Sequence, residues 1–256
     1  MENYRNHPTR HRVLCLRANL GKNVARRISS FRIIPDDPGS TLKKGRLAPC
    51  DPRTDPGVQG CMVHHRNYRG FSYEENHLEE WIARDPSALF GETEVLLLAS
   101  QNYRHLRVKI DLLFVDGMCQ LYPVELKVEP IAKNGGVVPY DLYERQMKPY
   151  VKFLLELGKV TDLASNYLRF SKSFHGAERQ IAHDFATCFE GKSCEKQPTT
   201  ICETYVAEQF DAYALEYFER NARDDQRNIR LVQYKFFPTN DYLEFWEIYR
   251  SEEIYR

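Results

Sequence analysis

The chain of 256 residues lacks any apolar run that would cross a bilayer: its longest purely aliphatic stretch, residues 95–99, falls far short of the roughly 20 residues a spanning helix needs. The N-terminus carries basic residues with no apolar segment behind them, so no secretory leader is expected. These absences favour a soluble, cytoplasmic protein without a membrane partner. There is also no C-x-x-C pair among the seven cysteines at 15, 50, 61, 119, 188, 194 and 202, an odd and scattered set that suits reduced thiols. His183, Cys188, Cys194 and Cys202 follow at intervals matching no common zinc-ligand spacing. Net charge is absent too, with 36 Lys plus Arg against 36 Asp plus Glu, which excludes a wholly polybasic nucleic-acid binder. Apolar residues are not scarce. At 42% hydrophobic and 12% aromatic, the chain can bury a core, which excludes disorder throughout.

The charge balance holds only by cancellation. Residues 1–70 contain 14 Lys or Arg and 5 Asp or Glu, a net +9, so residues 71–256 carry −9. The first segment also holds Pro8, Pro35, Pro38, Pro49, Pro52 and Pro56 and shows no sustained period apart from short stretches such as residues 31–34. Residues 1–68 therefore read as a poorly ordered basic arm able to attract phosphates.

From Phe71 the patterns sharpen. Ser72 with Glu75 forms a capping box that opens a helix bearing Leu78, Trp81 and Ile82, and Asp85-Pro86 stops it. Residues 92–99, 107–115 and 119–128 read as a three-strand meander, the last two strands separated by Asp116-Gly117. Residues 141–157 read as a helix, and a second helical stretch ends at Gly191. A strand at 201–207, a helix near 212–221 and a strand at 229–237 imply a right-handed crossover and parallel pairing. Residues 238–256 read as an amphipathic helix packed on the core, capped by Asp241 with Glu244 and striped by Tyr242, Phe245, Trp246 and Tyr249. If that stripe is not fully used within the monomer, it offers a homodimer surface.

Charged residues inside buried strands require an explanation. Asp111 lies in VKIDLLFV, and Glu125 and Lys127 lie in LYPVELK. Strand period two puts Glu125 and Lys127 on one face and turns Leu126 to the other. An odd hairpin loop, such as 116–118, sets position 111 opposite 123 and makes Asp111 and Glu125 diagonal neighbours on that face. Two converging carboxylates repel unless a cation separates them, and hard oxygen donors open to water suit Mg²⁺ or Mn²⁺. The Lys127 ammonium beside them would orient or deprotonate a water, or stabilise charge growing on a phosphorane-like transition state. The competing reading is an ion pair at an exposed sheet edge. Glu75 and Glu79, four apart on the preceding helix, add candidate acids. Gln146 and Tyr150, four apart on the following helix, are placed to hold a water and touch a phosphate.

These stretches, SYEENHLEEWIARDPSALF, VKIDLLFV, LYPVELKV and QMKPY, with the less specific residues 201–237, resemble the PD-(D/E)XK nuclease superfamily, in particular its RecB-like and NucS-like branches. The resemblance implies an α/β restriction-endonuclease-like core (α-β-β-β-α-β-α-β) with a central mixed sheet flanked by helices, over residues 69–237 with a helical insertion at about 158–200. It implies Asp111, Glu125 and the Leu126 carbonyl as ligands to Mg²⁺ or Mn²⁺, Lys127 as the catalytic lysine, Glu75 or Glu79 as the helix-borne acid, and Gln146 with Tyr150 as the Q-x-x-x-Y pair. Lys109, Lys148, Tyr150 and the basic arm would contact DNA, with RNA also compatible. The pattern departs from the superfamily in carrying Ile110 where Pro often precedes the first Asp. It also carries Pro149 within Q-x-x-x-Y, which removes a helical hydrogen bond to the Arg145 carbonyl and should kink the helix. A metal-dependent nuclease is the expected function, and a non-catalytic nucleic-acid-binding or assembly module on the same fold is the alternative.

Overall fold

A computed structural model describes residues 25–35, 45–50, 75–100, 110–118, 120–156, 200–237 and 242–251. In chain order these form β1 (Arg26–Pro35), β2 (Gly45–Pro49), α1 (Glu75–Arg84), α2 (Ser87–Phe90), β3 (Val95–Ser100), β4 (Leu112–Asp116) and β5 (Leu121–Lys127). A π-helical segment (Asp141–Met147) then runs into α3 (Lys148–Glu156), followed by β6 (Cys202–Ala207), α4 (Ala212–Asp224), β7 (Asn228–Phe237) and β8 (Tyr242–Arg250). The strands build one mixed eight-stranded sheet in the order β2-β1-β8-β7-β6-β5-β4-β3, flanked by helices. Residues 157–199, which include the expected insertion and its helix, lie outside the described residues, as does Ser72 of the capping box.

Alternation sorts each strand between two apolar layers. Leu112, Phe114, Tyr122, Val124 and Leu126 pack with Leu78, Trp81 and Ile82 of α1 and Leu89 and Phe90 of α2. The opposite residues, Leu113, Val115, Leu121, Tyr205 and Leu231, pack with Leu142, Met147, Val151 and Leu154 and with Leu215 and Phe218 of α4. The β6–α4–β7 unit pairs its strands in parallel, with Thr204 beside Arg230 and Val206 beside Val232. Asp211 caps α4 by accepting a bond from the Ala214 N–H at 2.7 Å. The expected kink at Pro149 takes the form of the wider π-helical turn just upstream, where the Lys148 N–H donates five residues back to the Tyr143 carbonyl.

Two expectations are corrected. The first is the C-terminal helix: residues 242–250 are a strand, antiparallel to β7 on one edge and to β1 on the other. The spacing of Tyr242, Phe245, Trp246 and Tyr249 fits a helix, but Leu243 and Phe245 also alternate, and both are fully buried as an inner strand. The β7 edge and the aromatic, β-branched composition decide the outcome, because local helical spacing is weak against a ladder of backbone hydrogen bonds on both sides. With both edges paired, β8 presents no helical stripe for a homodimer. The second is the arm. Within residues 1–68, β1 and β2 are strands of the same sheet, and Phe31 and Ile33 are 2% exposed under α2. Deleting residues 1–68 is therefore expected to destabilise the fold. It removes Phe31, Ile33 and Leu47 from the core and leaves β8 as an edge, at a cost of about 5 kcal/mol or more, so thermal unfolding should begin roughly 10 °C lower. A truncated protein melting like the full chain would show that β1 and β2 add nothing to the core.

Candidate active site

The site is set by the β4–β5 hairpin. Asp116 bonds its own turn: its carboxylate accepts from the Met118 N–H at 2.8 Å, the Gln120 N–H at 3.0 Å and the Tyr122 hydroxyl at 2.7 Å. The register pairs Leu112 with Val124 and Val115 with Leu121, and the Asp116 N–H donates to the Gln120 carbonyl at 3.1 Å. The expected odd parity holds, but the loop begins one residue later than 116–118. Continued one step beyond Leu112, this register sets Asp111 opposite Glu125 instead of diagonal to it. The Asp111 carboxylate accepts from the Leu126 N–H at 2.6 Å, tying the approach to β4 to the end of β5. The N-terminus of α1 arrives at the same end of the sheet and brings Glu75.

Lys127 gathers these groups. Its ammonium donates to the Leu126 carbonyl at 2.6 Å and to Glu75 Oε1 at 3.1 Å, and it stands 2.8 Å from Glu125 Oε1 and 3.9 Å from Asp111 Oδ2. Three carboxylates thus share one cation, with Asp111 7% and Glu125 3% exposed and Glu75 half-buried. Burial raises the Asp111 pKa well above the ordinary carboxylate range, while Lys127 and the Leu126 N–H pull it down and Glu75 pushes it up. Burial raises Glu125 as well, with Asp111 as the next cause. Burial works against the Lys127 ammonium, yet Glu125 and then Asp111 outweigh it, and Lys127 is held protonated.

One atom of the cluster is left over. Glu125 Oε2 is buried with no hydrogen-bond partner, a state that a buried carboxylate oxygen does not reach without expense. Among the described residues, no group of three or more His, Cys, Asp or Glu side chains is arranged to hold a metal ion. The donors that remain for a cation are the Asp111 and Glu125 carboxylates and the Leu126 carbonyl, which are hard oxygens of the kind Mg²⁺ and Mn²⁺ take alongside retained waters. The Lys127 ammonium now bonds to two of those donors, so an ion would require it to turn aside.

The remaining candidates are distributed as follows. Glu79, one turn along α1, is buried, and Glu75 is the acid that meets Lys127. Gln146 is half-buried in the π-helical segment, with Oε1 enclosed and without a hydrogen-bond partner. Tyr150 is 1% exposed in the apolar layer, its ring 6.4 Å from Phe153. Lys148 bonds Glu144 at 3.1 Å and stands 3.6 Å from Asp225. Lys109 lies outside the described residues.

Two contributors escape a reading of the sequence: the Leu126 N–H, invisible because it is main chain, and the turn-closing Asp116, whose Asp-Gly signal is present but reads only as a break. A second buried charge, Glu203, escapes it too. Arg227 Nη1 meets it at 2.6 Å and the Tyr205 hydroxyl donates to it at 3.1 Å, while burial raises its pKa to about 7. No protein-family model, curated protein or solved structure matches this chain.

Proposed function

We propose that the chain is a metal-dependent nuclease of the PD-(D/E)XK kind that hydrolyses DNA phosphodiester bonds. The observation that carries this reading is the convergence of Asp111, Glu125, Lys127 and Glu75 at one end of the sheet, with Glu125 Oε2 buried and unbonded. An assembly of three carboxylates on one ammonium is electrostatically costly, and costs of this kind concentrate where chemistry is done. Asp111 and Glu125, with the Leu126 carbonyl, would hold Mg²⁺ or Mn²⁺. Such an ion, when bound, activates a water and offsets charge on the phosphate.

The chain's own residues do the rest. The Leu126 N–H fixes the Asp111 carboxylate, so one oxygen is oriented before any ligand arrives. Lys127, kept cationic by its neighbours, serves a phosphate best as an electrostatic clamp on the developing negative charge, because a lysine held protonated is a poor base. Glu75 holds that ammonium at the site. Gln146, with an enclosed and unsatisfied oxygen, is the group best suited to position a water.

The test is incubation of the purified full chain with labelled linear, circular and branched DNA, and with RNA, each with and without Mn²⁺. Cleavage of DNA that requires Mn²⁺ is the expected result. Cleavage of RNA alone would move the substrate class, and no cleavage of any substrate would leave the second reading, a nucleic-acid-binding module on the same fold. That reading draws on the bonds Lys127 already makes within the cluster, which would serve as a structural ion pair.

A further inference from the structure

Beyond Leu231 and Tyr249, which belong to the layer under α4, the part of the sheet formed by β7, β8 and β1 has an apolar face and a polar one. Tyr234, Phe236, Leu243, Phe245 and Phe31 turn toward α1 and α2. The residues between them therefore turn the other way, and cross-strand pairing sets Gln233 beside Trp246, Lys235 beside Glu244, Trp246 beside Arg27 and Glu244 beside Ser30. Arg32, two residues from Ser30 on β1, faces the same way. Trp246 joins neither apolar layer. Its ring is held in one orientation, with Nε1–H donating to Glu244 Oε2 at 2.9 Å and the Lys235 ammonium 5.1 Å from the ring centroid. Glu244 is 2% exposed and is also met by Arg27 at 3.6 Å, so three half-buried cations, Arg27, Arg32 and Lys235, share this face with one buried carboxylate.

This face shares one cross-strand row with the candidate active site, with the fully buried Ala207 between them. Lys127 pairs with Ala207, Ala207 with Gln233, Gln233 with Trp246 and Trp246 with Arg27, one row across five strands. Three strand spacings, about 14 Å, separate the Lys127 strand from the Trp246 strand.

We propose that this Arg27–Arg32–Lys235–Trp246 face binds single-stranded nucleic acid, with the indole stacking on a base and the cations meeting phosphates on either side. Its purpose, holding a strand beside the cleavage site, rests on the nuclease reading; the binding itself does not. A single strand is favoured over a duplex because a partly exposed indole held in one orientation stacks on an unstacked base, and a duplex conceals its base faces.

The test uses the full chain in EDTA and a fluorescein-labelled oligothymidylate followed by anisotropy. Trp246→Ala should weaken binding about tenfold, and Trp246→Phe, which keeps a ring, should weaken it far less. Lys235→Ala should lower the slope of log K against log salt by about 0.7, the loss of one phosphate contact. Oligothymidylate should also quench the indole emission of the wild type, since the other tryptophan, Trp81, is fully buried. The proposal is overturned if wild type fails to bind, if Trp246→Ala and Lys235→Ala bind within twofold of wild type with the same salt slope, or if a duplex binds as tightly with the same dependence on Trp246. Should Trp246→Ala not fold, Trp246→Phe and Lys235→Ala decide the matter. Trp246-dependent binding without any Mn²⁺-dependent cleavage would sink the nuclease reading and leave this one standing.

Discussion

Asp111→Asn and Glu125→Gln proteins are expected to lose Mn²⁺-dependent cleavage by roughly a thousandfold while melting higher than the wild type at pH 8 in the absence of metal. Both halves follow from the same geometry. Each amide keeps the shape and one acceptor oxygen of the carboxyl it replaces. The new side chain at position 111 can still receive the Leu126 N–H, and the one at position 125 can still face Lys127. What each removes is one of three negative charges gathered on a single ammonium. Relief of that repulsion is worth about 1 kcal/mol, or some 2–4 °C in a chain of this size. The sign with pH is fixed by the direction of the shifts. The folded pKa values of Asp111 and Glu125 lie above their unfolded ones, so the folded state binds protons more readily. The pair's contribution to stability is therefore greatest at low pH and is lost as pH climbs out of the ordinary carboxylate range through the raised folded values. Either amide variant should flatten that part of the curve. Thermal melts of the metal-free proteins between about pH 5 and pH 8.5 read this directly; variants that melt lower than wild type at pH 8 would mean that the carboxylates stabilise the fold, as a structural ion pair does.

Lys127→Met should behave in the opposite way. Its ammonium meets Asp111, Glu125 and Glu75 together, and its removal leaves buried carboxylates uncompensated. Breaking a buried pair by deleting one partner costs about 3–5 kcal/mol, which would lower the melting temperature by roughly 10 °C. Cleavage should fall steeply as well, since the clamp on transition-state charge is gone. The distinguishing feature is rescue. With Lys127 absent, Mn²⁺ can take the place of the ammonium among the same oxygens, so added Mn²⁺ should raise the melting temperature of Lys127→Met by more than it raises that of the wild type. If Mn²⁺ leaves the variant as unstable as before, the oxygens do not form a cation site.

Much of this arrangement is legible from residue types and spacing. Buried strands do not carry Asp, Glu and Lys without cause, and period two alone places Glu125 and Lys127 on one face. The loop parity that brings Asp111 to them can also be read, whereas its start cannot: that depends on Asp116 closing three hydrogen bonds within its own turn. The C-terminal strand is hidden because Tyr242, Phe245, Trp246 and Tyr249 satisfy a helical spacing while Leu243 and Phe245 satisfy an alternating one, and only the neighbouring edges of β7 and β1 choose between them. The same long-range pairing conceals the role of residues 26–35, whose basic and proline-flanked sequence looks unstructured until β8 lies beside it. Tyr150 shows the limit of motif transfer. Its spacing from Gln146 fits a catalytic pair, but the π-helical turn ahead of Pro149 alters the angular relation between the two, and the ring is packed in the apolar layer.

Everything proposed for the active site turns on whether Asp111, Glu125 and the Leu126 carbonyl hold a divalent cation. Calorimetric titration of Mn²⁺ into the full-length wild type and into Glu125→Gln at pH 8 addresses this without depending on the choice of substrate. Saturable binding to the wild type that disappears in Glu125→Gln is the predicted result. No saturable binding to the wild type, or the same binding in both proteins, would contradict it.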